Sequence, residues 1–232
     1  MMPSNLGQLV QQVSVLALPA IFAITFHEAA HGYVAKRCGD DTAEMMGRVT
    51  FNPLKHIDPI GTVAMPLLLF FASGGQFLFG YAKPVPVNFS RLRRPRRDMV
   101  LVALAGPGTN VALALLSALL MYAAPHLPPA FQDWYVLNLQ NSIVINVILA
   151  VFNMIPLPPL DGGRVAVGIL PDMLAFPLAR MERYGILILI TALFLLPMIG
   201  VQLGIDLNVV GDVVQGPVNW LLSAISKLTG VG

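Results

Sequence analysis

His27-Glu28-Ala29-Ala30-His31 sets two imidazoles four residues apart with a carboxylate beside the first. Residues four apart share one face of a helix, so both rings can reach a single zinc ion. Glu28 projects next to them, where a carboxylate can take a proton from metal-bound water. The chemistry implied is metal-assisted hydrolysis. A polar helix end at a membrane surface is the bland alternative. An ionisable cluster inside an apolar stretch favours the functional one.

A catalytic zinc site takes three protein ligands and keeps one position open. The metzincin continuation of the motif requires Gly at position 34 and His at 37; this chain has Val34 and Arg37, which excludes that class. Glu44 sits among Asp40, Asp41 and Thr42 and reads as a solvated charge. Asp161 is the stronger candidate, in Asn153-Met-Ile-Pro-Leu-Pro-Pro-Leu-Asp161-Gly-Gly163. Pro156, Pro158 and Pro159 end the preceding helix, since proline lacks an amide hydrogen and clashes with the previous turn. Gly162 and Gly163 then permit tight backbone paths. The other role open to Asp161 is capping a helix that starts near Arg164.

These residues must be positioned by membrane helices. Apolar residues make up 56% of the 232, charged residues 11%, and mean hydropathy is +0.73. A soluble domain carries about 25% charged residues, so a soluble enzyme, a disordered regulator and a nucleic-acid binder are excluded. Cys38 is the one cysteine and forms no internal disulfide. The first five residues carry no Lys or Arg, so the N-terminal segment reads as part of the mature chain and not as a cleaved signal.

Spanning takes about 20 mostly apolar residues. Such runs fall near 6–37, 60–82, 99–132, 134–160 and 185–205, with a weaker one at 213–226. The expected fold is an all-α polytopic membrane protein of about five or six transmembrane helices. It forms one domain over 1–232, with a core at about 6–175 and C-terminal helices at about 183–228. Ten of the fourteen Lys and Arg lie between Lys36 and Arg97, and none lies between Asp98 and Gly163. The positive-inside rule then puts 36–97, and the active site, on the cytoplasmic side of the cell membrane, with the loop at 125–134 opposite. Arg164, Arg180 and Arg183 mark a cytoplasmic return. A single crossing by 60–82 would carry the cluster Arg91–Arg97 outside. Gly61, Pro66, Gly74 and Gly75 also make a poor straight helix, so a re-entrant segment is expected there.

The stretches 47–52 and 83–89 have the Val, Thr and Phe content of short strands, giving a small membrane-associated β-hairpin. Lys83-Pro-Val-Pro-Val87 suits an edge strand. Such an edge could hold an extended substrate peptide by backbone pairing. Packing at headgroup level without pairing is the alternative.

The chain resembles the site-2 proteases, the zinc intramembrane metalloproteases of peptidase family M50, in their short bacterial form without a PDZ domain. His27–His31 matches that family's first motif and Asn153–Gly163 its second. Ala105-Gly-Pro-Gly-Thr-Asn110 is similar to the G-P-x-x-N signature, and Gly47–Gly61 to the loop after the first motif. The matches run from Phe26 to Arg164; the final 50 residues carry no recognisable motif.

The resemblance implies one Zn2+ per chain, held by His27, His31 and Asp161, with Glu28 activating water. It implies that Asn153 lies near the scissile carbonyl, where an amide donor can hold the developing oxyanion; an amide bridging two helices is the other role open to it. It implies transmembrane segments of other proteins as substrates. An adaptor or an upstream protease would govern access, and no nucleic acid is involved. His56 reads as structural, paired with Asp58, and His126 as solvated. Gly106, Pro107 and Gly108 read as small residues at a close helix contact, with Asn110 bonding a neighbouring helix.

Two other functions compete. A membrane zinc hydrolase acting on a lipid or prenylated peptide would share His27–His31 but take a Glu as third ligand. A non-catalytic metal-binding membrane protein would not need Glu28.

Overall fold

The computed structural model describes residues 6–72 and 80–231. Helix α1 (Leu6–Arg37) runs 32 residues. At 1.5 Å per residue it is about 48 Å long, more than the ~30 Å hydrocarbon core, so one end stands clear of it. Lys36 and Arg37 close its last turn, where cations complement the helix dipole. Short α2 (Thr42–Met45), a π-type turn (Pro59–Ala64) and α3 (Met65–Ala72) follow. Helix α4 (Pro95–Leu120) continues through the 3-10 turn Met121–His126, and α5 (Pro129–Asn153) returns antiparallel.

Helices α1, α4 and α5 pack on one another and hold the site. Trp134 Nε1 donates to Ser14 Oγ at 2.9 Å and Asn141 Nδ2 to Val15 O at 2.8 Å, tying the start of α5 to the start of α1. Beyond α6 (Asp161–Ile169), α7 (Asp172–Arg180), α8 (Glu182–Ile190) and α9 (Leu196–Leu203) form one long apolar stretch. Leu187 and Val201 on it are 65% and 84% exposed, as lipid-facing side chains are. Helix α10 (Val209–Thr229) packs its Ile225 against Ala114, Ala118 and Val147, small residues that let three helices approach closely.

Among the described residues, four helices are long and apolar enough to cross a membrane: Val10–Arg37, Pro95–His126, Pro129–Asn153 and Asp172–Leu203. That is fewer than the sequence suggested. The expected span at 185–205 is the second half of the fourth. The weak one at 213–226 lies within α10, where Asp212, Gln215, Asn219 and Lys227 dilute the apolar character. The described ends of the stretch 60–82 meet. Tyr81 N donates to Gly61 O at 3.0 Å and Thr62 Oγ1 to Tyr81 O at 2.9 Å. Gly74 and Gly75 lie outside the described residues.

The expected β-hairpin is a further correction: no strand occurs among the described residues. Residues 47–52 form turns. Residues 80–88 have no regular secondary structure, and four of their amides go to unrelated acceptors. Tyr81 bonds to Gly61 O, Lys83 to His56 O, Val85 to Glu28 and Asn88 to Asp40. Pro84 and Pro86 have no amide to give. This arrangement is a strap fastened point by point, with no ladder.

Candidate active site

His27 and His31 face α4 from one side of α1, both buried. His31 Nδ1 lies 2.7 Å from Val102 O, a carbonyl that can only accept, so this nitrogen carries the proton. His27 Nδ1 lies 2.6 Å from Asn110 Oδ1. The Asn110 amide is oriented by its other contacts, Nδ2 donating to Asn146 Oδ1 at 2.8 Å and to Ala23 O at 3.3 Å. Asn146 is oriented in turn by Nδ2 donating to Ser142 O at 2.8 Å. A backbone carbonyl directly at His31, and the asparagine pair at His27, thus place the proton of each ring on Nδ1. Both Nε2 atoms are left as bare lone pairs.

Those lone pairs converge. His27 Nε2 and His31 Nε2 are 3.0 Å apart, and each stands 3.2–3.3 Å from Asp161 Oδ2. Asp161 Oδ2 is buried and has no hydrogen-bond donor. Three acceptors facing one another without a proton between them repel, and a cation resolves the repulsion. Tetrahedral ligands bonded at about 2.0 Å stand about 3.3 Å apart, so the triangle has the size a zinc ion requires. The donor set therefore fits a metal of this kind.

Three glycines make the convergence possible. A Cβ on Gly106 would stand 2.5–2.6 Å from His27 Cε1, His27 Nε2 and His31 Nε2, so the imidazoles lie against bare α4 backbone. A Cβ on Gly162 would strike Met154 O, and one on Gly163 would strike Pro158 N. The proline-rich turn thus folds onto the first turn of α6, where Asp161 is the first residue. The Asp161 carboxylate turns its Oδ2 to the imidazoles.

Glu28 points to the strap. Its Oε2 accepts from Val85 N at 2.8 Å. Buried Arg48 holds the same strap, Nη2 donating to Lys83 O at 2.7 Å. Asn153 Nδ2 donates to Leu149 O at 3.0 Å within its own helix. Glu44 pairs with Lys36 at 2.5 Å, as a solvated charge does. His56 is buried, but its Nε2 meets Thr50 O at 3.0 Å, and Asp58 instead accepts from Ile60 N and Gly61 N. His126 is exposed.

Residues 129–197 match the model of peptidase family M50. The protein named "Putative zinc metalloprotease YwhC" of Bacillus subtilis (strain 168) is 38% identical over 187 residues, covering 79% of this chain and 81% of that one. The chain belongs to peptidase family M50. The similarly named Rip2 of Mycolicibacterium smegmatis is 30% identical over 174 residues, 75% of this chain and 64% of the relative. The like-named MJ0611 of Methanocaldococcus jannaschii is 44% identical over 64 residues, 28% of this chain and 31% of the relative. No solved structure matches. This M50 peptidase is thus a membrane metalloprotease whose relatives' names point to zinc.

Sequence reasoning missed two parts of its site. Asn146 carries no motif, and its role is visible only through Asn110. Gly106 read as a helix-packing residue, because spacing along α4 does not reveal that two imidazoles lie over it.

Proposed function

We propose that this M50 peptidase is an intramembrane endopeptidase that cleaves transmembrane segments of other membrane proteins, with one Zn2+ per chain held by His27, His31 and Asp161. The observation that carries this reading is the triangle of three lone-pair atoms with Glu28 next along α1. The metal, when bound, supplies a Lewis acid that polarises the scissile carbonyl and acidifies water. Glu28 takes the proton of the attacking water at its carboxylate. Asn110 and Val102 O fix the imidazole orientations so that neither ring rotates during turnover. Asn153 keeps one amide hydrogen uncommitted among the described residues, and that donor serves the developing oxyanion.

An apolar cavity of about 530 Å³ supports the substrate class. It lies between α4, α10 and the Met154–Pro156 turn, with Pro107, Gly108 and Val213 in its walls. Apolar walls of this size suit a hydrophobic segment. The basic face bearing Lys36 to Arg97 lies in the cytoplasm on this reading, with the whole chain as one domain.

The test is to purify wild type, Glu28→Gln and His31→Ala in detergent, measure bound zinc, and assay a transmembrane peptide. Glu28→Gln should keep the metal and lose about 10²–10⁴-fold in rate. His31→Ala should lose both. Full activity in Glu28→Gln with normal zinc would overturn the mechanism; cleavage of lipid-linked peptides alone would overturn the substrate class.

A further inference from the structure

The last turn of α1 and the first turn of α4 come together beside a cavity of about 260 Å³. The candidate spans Val10–Arg37 and Pro95–His126 end and begin here, and the charge bias that sets the proposed orientation puts such arginine-rich span ends at the headgroup region. Arg37, Arg93, Arg94 and Arg97 line it, with Cys38 and one carboxylate, Asp98. Asp98 is buried and its Oδ2 already accepts from Arg94 N at 2.8 Å.

The seven-residue run Arg91–Arg97 divides into two kinds of arginine. Arg91 pairs with Asp41 and Arg96 with Asp172, each at 2.7 Å. The side chains of Arg93, Arg94 and Arg97 have no carboxylate at ion-pair distance among the described residues, and Arg37 bonds only Tyr33 Oη. Arg93 is placed by its backbone, whose N–H donates to Cys38 O at 3.0 Å. Gly39 makes that approach possible. It sits at φ +111°, and a side chain there would meet Arg93 Cγ at 3.1 Å and Arg91 O at 3.3 Å.

Charge bias across the membrane requires only that arginines lie on this face. It does not require that four of them surround one cavity, where their like charges repel. A phosphate ester removes that repulsion, and guanidinium forks match its oxygens two at a time. The first turn of α4, behind Pro95, adds the positive end of a 26-residue helix. We propose that the junction of α1 and α4 binds the phosphate group of an anionic phospholipid. Free phosphate shares this chemistry. The headgroup depth of the cavity and the apolar Leu101 in its wall assign the site to the lipid.

The test uses the full chain, delipidated in mild detergent and titrated with phosphatidylglycerol under native mass spectrometry. Wild type should retain one lipid saturably. The pair Arg93→Gln and Arg97→Gln should weaken retention about tenfold or more. The pair Arg91→Gln and Arg96→Gln removes the same charge from arginines that already have partners, and should change retention by about twofold at most. Arg97→Gln alone replaces the first pair if that protein does not fold, with a loss of about threefold or more expected. Equal losses in both pairs, or no loss in the first, would overturn the site. Inorganic phosphate should not displace the lipid at matched concentration, and displacement would overturn the lipid assignment.

Discussion

Val85 donates its amide hydrogen to Oε2 of Glu28 across 57 residues of sequence, at 2.8 Å. The Glu28 carboxylate is therefore held by the backbone of the strap, and the strap is held by Arg48 and His56 O. On the proposed function, the position of the base and the integrity of the strap are one property. Proline on both sides of Val85 makes its amide the only donor available between Lys83 and Val87.

Removing that donor without removing the side chain's bulk tests the linkage. Val85→Pro deletes the N–H between two residues that are already proline. A hydrogen bond to a charged group is worth about 1.5–3 kcal/mol, so kcat should fall about tenfold or more while bound metal stays at the wild-type level. Val85→Ala keeps the N–H and should stay within about twofold. Equal activity in both variants would show that the strap does not position Glu28.

The chain Asn146–Asn110–His27 predicts an effect at a residue that touches no ligand atom. Asn146→Leu removes the shorter of the two bonds that orient the Asn110 amide and leaves only the one to Ala23 O at 3.3 Å. Loss of such outer partners typically lowers metal affinity about 10–100-fold. Competition with a chelator should therefore strip zinc from Asn146→Leu well before wild type. Ser117→Ala, at the far end of the same polar cluster, should leave affinity unchanged, because Asn146 remains anchored on Ser142 O.

Helix α1 was legible in the sequence because apolar run and motif coincide; the three prolines signalled a helix stop, but the apolar run to 160 outlasts α5, which ends at Asn153. The pairing of His27 and His31 with Asp161 rests on motif spacing in the sequence and on the glycine contacts in the structure. What escaped were features set by partners distant along the chain. Residues 83–89 have strand-like composition, but strand formation depends on a neighbour with a free edge. The acceptors facing this segment are single atoms on α1, Gly61, His56 and Asp40. His56 looked like a partner for Asp58 from adjacency alone, whereas the turn that follows takes both of the Asp58 bonds.

Asp40 gives a pH-dependent prediction outside the spans. Burial pushes its carboxyl up, but bonds from Thr42 Oγ1, Asn88 N and Thr42 N, with the charge of Arg91, outweigh burial and hold it below the ordinary value. The folded state thus favours ionised Asp40 more than the unfolded chain does. Its stabilisation is fully present above the unfolded carboxyl value near 3.9 and is lost as pH falls through the lower folded value. Asp40→Asn should be less stable than wild type at pH 7, by about 1.5–3 kcal/mol. Melting in detergent should show that gap narrowing once pH drops below about 4.

Gly106 and Gly108 lie two residues apart on α4 and should respond oppositely to the same methyl group. A Cβ at 106 would stand 2.5–2.6 Å from atoms of both imidazoles, whereas one at 108 meets nothing within 4 Å. Both positions are helical, so the backbone itself gains about 0.5–1 kcal/mol from either Gly→Ala change. Gly106→Ala must push one ring off its Nδ1 partner, Asn110 Oδ1 or Val102 O, and opens the lone-pair triangle. Zinc content should fall below about one-tenth of wild type, and activity should fall with it. Gly108→Ala should keep full zinc and melt at the same temperature or slightly higher. Metal analysis of the two purified variants decides the matter: retention of zinc by Gly106→Ala would mean that the imidazoles do not rest on α4 as described.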